Sequence, residues 1–252
     1  MHTQKLIIVF VSILCLSACI TTVDGVQVRE VDQNKVLSNE IQLGMAYLGK
    51  GDREGAQIHF EKALKIDKKS HQAINGMGLV YQYEGESELA EEYFKRSLKL
   101  RPDFAQGHNN YGSFLYSKKR FEEAYEEFNT AASVINYRGR AGALTNLGRT
   151  ALMLDRPEKA EASFEHAVKL NPRESLALIE LAEMLFTQED YSASKKYLDQ
   201  YDRVARQSAR SLWLGIQIER IFGNKDKEAS YALALKNLHP YSKEYLNYKK
   251  SL

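Results

Sequence analysis

Cysteine is almost missing from this chain of 252 residues: the only two are Cys15 and Cys19, and from residue 20 to the end there is none. No disulfide can therefore staple the bulk of the chain, and its stability has to come from packing alone. A surplus of one charge is missing too. Thirty-five Lys and Arg stand against 33 Asp and Glu, a net of +2 that includes Lys5 near the start, so neither a nucleic-acid patch nor a polybasic membrane face is indicated. Patterned catalytic residues are absent as well. The six histidines (His2, His59, His71, His108, His166, His239) are scattered, with no His-x-x-x-His or Glu-x-x-His pair to hold a metal and no Gly-x-Ser-x-Gly elbow for a nucleophile. Gly49-Lys50-Gly51-Asp52 lacks the frame of a phosphate loop and falls where a tight turn is expected. No catalytic residue, metal, cofactor or small-molecule substrate is expected.

Long apolar runs are confined to one place. After Lys5 comes Leu6-Ile-Ile-Val-Phe-Val-Ser-Ile-Leu-Cys-Leu16, too short for a span of about twenty residues and suited to a signal peptide occupying residues 1–18. The tetrapeptide Leu16-Ser17-Ala18-Cys19 resembles the bacterial lipobox, which implies diacylglycerol on the Cys19 sulfur and a chain tethered to membrane by its acyl groups. The alternative is an ordinary signal cut after Ala18 that leaves Cys19 a free thiol. Ile20, rather than Asp, follows the cysteine, and in the lipoproteins it resembles this implies the outer membrane of a Gram-negative cell, on the periplasmic side. Residues 19–36 are polar, mixed in charge and without a helical apolar period, and are read as a lipidated linker. About sixteen extended residues reach roughly 50 Å.

What the chain has in abundance is repetition. Gly44, Ala56 and Phe60 recur thirty-four residues on as Gly78, Ala90 and Phe94, again as Gly112, Ala124 and Phe128, and after a two-residue insertion as Gly148, Ala160 and Phe164. Pro102, Pro172 and Pro240 keep the same register at closing turns. Small residues at two positions and an aromatic at a third let two helices approach closely with a ring beside them, so each copy is a helix-turn-helix. The period and pattern resemble the tetratricopeptide repeat. A fifth copy is degraded to Ala182, Ser194 and Leu198, and a sixth holds Trp213, Leu214, Gly215, Ile218 and Ile221 in its first helix and Ala229 and Leu233 in its second. The expected fold is all-α: a right-handed superhelical solenoid of about six repeats over residues 37–241 within a domain of 37–252. A short last helix carrying Tyr241, Tyr245 and Tyr248 is expected to cap it. Charge runs on second helices, Glu91-Glu92 with Lys95-Arg96 and Glu122-Glu123 with Glu126-Glu127, have the spacing of a solvated convex face.

In the tetratricopeptide family the second, fifth, sixth, ninth, twelfth and thirteenth positions of each repeat face a concave groove. Repeat one then contributes Ile41, Met45 and Leu48, and repeat two Asn75, Leu79, Gln82 and Tyr83. Repeat three contributes Asn109, Asn110, Ser113 and Tyr116, and repeat four Asn146, Arg149 and Leu152. An apolar patch adjoins an amide ladder, which suits a short amphipathic segment of a partner protein. Burial of Ile41, Met45 and Leu48 under the linker or an adjoining helix is the competing arrangement.

Three blocks are more particular: His108-Asn-Asn-Tyr-Gly-Ser-Phe-Leu115, Tyr137-Arg-Gly-Arg-Ala-Gly-Ala-Leu-Thr-Asn-Leu-Gly148, and Ser211-Leu-Trp-Leu-Gly-Ile216 followed by Ala229-Ser-Tyr-Ala-Leu233. With the lipobox they resemble the type IV pilus biogenesis and stability lipoproteins that serve as pilotins for the outer-membrane secretin. The resemblance implies a protein that binds the secretin subunit, carries it to the outer membrane and promotes its multimerisation for pilus biogenesis and twitching motility. An alternative is a peptide-binding scaffold for another envelope assembly machine. Many relatives carry Cys where this chain has Tyr116 and Thr150, so any disulfide between those two repeats is absent here, a loss of about 3 kcal/mol at that junction.

Overall fold

A computed structural model describes residues 32–252; the signal peptide, Cys19 and most of the linker lie outside the described residues. Residues 37–252 form one compact unit. Thirteen helices run through the described residues, and none of the backbone there is strand. The first twelve pair as α1 (Gln33–Gly49) with α2 (Arg53–Ile66), α3 (His71–Glu84) with α4 (Ser87–Leu100), α5 (Ala105–Ser117) with α6 (Phe121–Ser133), α7 (Arg140–Met153) with α8 (Pro157–Leu170), α9 (Ser175–Thr187) with α10 (Tyr191–Val204), and α11 (Ala209–Ile221) with α12 (Lys225–Leu238). A last helix, α13 (Lys243–Lys250), follows. The chain is thus a tetratricopeptide-type solenoid of six helix pairs with a terminal helix. The first helix begins at Gln33, four residues before the expected start, so the end of the expected linker is already helical.

The repeated residues explain the pairing. Phe60, Phe94, Phe128 and Phe164 are all buried, and each ring lies against the glycine sixteen residues before it. A Cβ on Gly44 would come within 2.6 Å of the Phe60 ring and one on Gly148 within 2.6 Å of Phe164, so only glycine lets the two helices close over the aromatic. In repeat five, Ser194 replaces the alanine and remains buried by donating its hydroxyl to the Ala182 carbonyl at 2.6 Å. Each helix packs mainly on its neighbours in sequence. First helices also touch the next first helix directly, α3 on α5, α5 on α7 and α9 on α11. The row of first helices is therefore the tighter one, and the solenoid curves with that row inside.

The core is a string of linked clusters rather than one centre. Leu48, Ala56, Phe60, Met77 and Val80 hold repeats one and two together. A long cluster from Ala90 to Leu181 runs through repeats two to five, and Leu178, Leu198, Leu214 and Ile218 join five to six. At the C-terminal end Tyr245 and Tyr248 pack on Leu212, Ile216, Ala232 and Leu235. Tyr241, expected to share that face, is instead 95 % exposed, because it sits in the turn before α13.

The convex face is less passive than its charge spacing suggested. Arg120 donates from Nη1 to Glu91 of the preceding repeat at 2.7 Å, and Arg156 from Nη2 to Glu122 at 2.7 Å. Glu127 receives His108 Nδ1 at 2.6 Å. Glu92 and Glu126 are exposed, as the spacing predicts, whereas Glu91, Glu122 and Glu127 join helices to one another.

Candidate functional site: the inner groove

The first-helix row carries the residues picked out by repeat position, but not all are at its surface. In repeat one Ile41 is half-buried and Met45 is 42 % exposed, while Leu48 is only 9 % exposed and packs with Phe60 and Met77. Leu48 is core, which corrects its expected place in the groove: at the end of α1 it turns under the second helix. Leu79 is half-buried and bridges the first two clusters, and Tyr83 projects into solvent.

The amide ladder exists, one layer deeper than expected. Asn75 is 3 % exposed and Asn110 9 %. Asn110 Nδ2 donates to Asn75 Oδ1 at 2.6 Å, Asn110 Oδ1 accepts from Gln106 Nε2 at 2.8 Å, and Gln106 Oε1 accepts from the Tyr137 hydroxyl at 3.0 Å. This chain of bonds ties α3, α5 and the turn before α7. Asn75 and Asn110 are therefore corrected from ligand contacts to a buried clasp, since each spends its amide on the neighbouring repeat. Asn75 Nδ2 and Gln82 Oε1 are buried without a partner among the described residues.

A second rung is open. Asn146 Nδ2 donates to Asn109 Oδ1 at 3.1 Å, with both side chains half-buried. Beyond it the Arg149 guanidinium lies over the Tyr116 ring, 5.5 Å from its centroid. Ser113, Tyr116, Asn146 and Arg149 surround a cavity of about 120 Å³ floored by Phe128. Further along, Arg210 grips Glu180 at 2.9 Å through Nη2 and also pairs with Glu183, while Arg149 Nε is 3.9 Å from Glu180. Glu183, Arg210, Phe186 and Trp213 then line a wider cavity of about 400 Å³ under Lys243 and Asn247 of α13.

Sequence position alone missed this C-terminal half. Carrying the same groove positions into repeats five and six would have given Glu180, Glu183, Phe186 and Trp213. Arg210 stands one position off the pattern, and its only sequence signal is an arginine thirty residues after a Glu-x-x-Glu pair. Among the described residues no group of three or more His, Cys, Asp or Glu could hold a metal ion, and no helix is long and apolar enough to cross a membrane. What the groove offers is hydrogen-bonding amides, a cluster of paired charges around Arg149, Arg210, Glu180 and Glu183, and apolar shelves, which is recognition chemistry.

Models of the tetratricopeptide repeat match residues 41–70, 71–104, 103–173 and 145–209. The type IV pilus assembly protein PilF of Pseudomonas aeruginosa is 34 % identical over 248 residues, covering 98 % of this chain and 98 % of that protein. Its solved structure, from the functional characterisation of P. aeruginosa pilF, superposes with a TM-score of 0.82 at 35 % identity, over 87 % of this chain and 99 % of that one. The structure of PilW, a widely conserved type IV pilus biogenesis factor, superposes with a TM-score of 0.70 at 30 % identity, over 85 % of this chain and 98 % of that one. By its repeats and its end-to-end likeness in sequence and fold, the chain belongs to the tetratricopeptide-repeat proteins of type IV pilus biogenesis, the PilF/PilW family.

Proposed function

We propose that this protein is an outer-membrane lipoprotein that binds the type IV pilus secretin subunit and promotes its localisation and assembly into the multimeric ring. The observation that carries the reading is the 34 % identity to a type IV pilus assembly protein along 98 % of both chains, which makes the whole molecule, not only its repeats, the unit of likeness. The lipobox-like Leu16-Ser17-Ala18-Cys19 supplies the anchor, through acyl chains on Cys19. The groove supplies the grip, with Ile41, Met45 and Leu79 as its apolar end and Asn109, Asn146 and Arg149 as its polar middle. Grip and anchor in one chain hold a secretin subunit at the membrane and raise its local concentration without any covalent chemistry.

Deleting the protein is expected to leave monomeric secretin present but to abolish stable multimers in the outer membrane, with loss of pili and twitching. A Cys19→Ser form should bind secretin without restoring its location. Blots for heat-resistant secretin multimers in fractionated membranes test this. Normal multimers in the deletion strain would refute the assignment and favour a scaffold for another envelope machine.

A further inference from the structure

The terminal helix α13 has the register of a seventh first helix. Its N-cap Ser242 stands thirty-four residues after Ser208, the N-cap of α11, and each serine side chain accepts from the backbone N–H three residues on. The same spacing holds inside the helix. Leu178, Leu212 and Leu246 occupy one position of three successive first helices, and Ile74, His108 and Leu144 occupy it earlier in the chain. At that position the side chain meets the second helix of its own repeat. Leu178 packs with Leu198 and Tyr201 of α10, and Leu212 with Ala232 and Leu235 of α12. Polar versions make the same contact, Glu40 with His59 of α2 and His108 with Glu127 of α6. Ile74, Leu178 and Leu212 are fully buried, whereas Leu246 is 48 % exposed, because no helix of the described residues lies where a seventh second helix would.

The surroundings of Leu246 define what fits there. Lys243 comes three residues before it, Lys249 and Lys250 three and four after, so all three share its face of the helix. They are exposed, and none forms an ion pair among the described residues. The only acid of α13, Glu244, lines the inner cavity instead. Lys250 is the most particular of the three. It stands at the close-packing position of the repeat, where Gly148 lies under the Phe164 ring and where, with the bulk exchanged, Ile216 clusters with Ala232. A cation there calls for a carboxylate on an incoming helix in place of a ring. A second copy of α13 would set lysines against lysines.

We propose that the bare face of α13 is a docking surface for an acidic amphipathic helix of a partner protein. That helix takes the place of a seventh second helix, seating an apolar side chain on Leu246 and carboxylates on Lys249 and Lys250. Leu246 looks toward the second-helix side of the solenoid, away from the inner groove, so the two surfaces are separate.

The test presents the full chain, purified in detergent, with three series of peptides of second-helix length, held helical by side-chain staples. All share one apolar stripe and carry Glu, Gln or Lys beside it. Wild type is expected to bind the Glu series about 3- to 30-fold more tightly than the Gln series and to retain none of the Lys series. Leu246→Ala should weaken the Glu series about 10-fold. Lys249→Glu combined with Lys250→Glu should invert the preference, so that the Lys series binds and the Glu series does not. These changes lie on an exposed face, and thermal melts confirm that the variants fold. Trypsin cutting after Lys249 and Lys250 reads the unaltered protein, and the Glu peptides should slow it. No preference for the Glu series, or one that survives the charge reversal or Leu246→Ala, overturns the docking surface. Protection from trypsin without peptide overturns it as well. Protection that grows with protein concentration would make the face a contact between copies, and protection found only in vesicles rich in phosphatidylglycerol would make it a contact with lipid.

Discussion

At the scale of single residues, Phe60 shows how little freedom the repeat allows. The ring is gripped from two sides, by Gly44 of its own repeat and by Gly76 of the next, where a Cβ would stand 2.4 Å from the ring. Phe60 is fully buried and has nowhere to retreat. Gly76→Ala is therefore expected to destabilise the protein by about 1–3 kcal/mol through overpacking. Gly142, in the first turn of α7, meets nothing within 4 Å, and Gly142→Ala should be neutral or stabilise by roughly 0.5 kcal/mol. Melting both variants by helical circular dichroism checks the pair, and equal effects would contradict it. The same contrast separates two groove candidates. Met45→Glu adds a charge to an exposed shelf and should weaken secretin capture while leaving the melting temperature within a few degrees of wild type. Leu48→Glu buries a charge beside Phe60 and should unfold the N-terminal repeats. Capture and melting measured on both variants decide, and a Met45→Glu protein that binds normally would remove repeat one from the interface.

At the scale of helices, joints that the sequence did not advertise hold neighbours together. His108 on α5 is one. Nδ1 faces Glu127 at 2.6 Å and Nε2 faces the Pro102 carbonyl at 2.9 Å, and both partners are acceptors, so only the doubly protonated ring satisfies both. Burial pulls the imidazole pKa down, but the hydrogen bonds to Glu127 and Pro102 and the Glu127 charge outweigh it, and the net direction is upward from 6.5. A raised native pKa means that this joint contributes its full stability below about pH 6.5 and loses it as pH rises through the native value. Wild type should therefore lose more melting temperature between pH 5.5 and 8.5 than His108→Gln does, as measured by parallel melts. Equal losses would show that the ring is neutral in the fold. Glu91 has the opposite sign. Hydrogen bonds from Arg120, Lys95 and the Tyr111 hydroxyl hold its pKa near 2, so its contribution is fully present above about pH 4.5 and is lost progressively as pH falls from there to about 2. Repeat spacing found the helices because that spacing is set by contacts within one pair, between residues four to sixteen apart. It could not find that Asn75 and Asn110 would be buried, because their fate depends on meeting across 35 residues of chain. Nor could it single out Glu91 from Glu92, since only one of them lies within reach of an arginine on the following turn.

At the scale of the whole repeat domain, the linear arrangement predicts how damage spreads. Among the described residues the terminal helix α13 packs mainly on α11 and α12, and Tyr245 and Tyr248 pack over Leu212, Ile216 and Leu235, which are fully buried in the intact molecule. Because each repeat is stabilised by its own packing and its nearest neighbours, loss of an end should loosen the adjacent pair and fade inward. Truncation after Leu238 is thus expected to lower the opening free energy of α11 and α12 by roughly 2–4 kcal/mol, the order of baring two or three aliphatic side chains. Amides of α3 to α6 should keep their protection. Native-state hydrogen exchange resolved by peptide is the measurement. The truncated protein should also still bind through repeats one to four, since neither Met45 nor Arg149 touches the cap, while the 400 Å³ cavity under Lys243 and Asn247 would be opened. Protection lost evenly from α1 to α12 would mean that the six repeats fold as one cooperative block, and that the groove cannot be altered at one end without cost at the other.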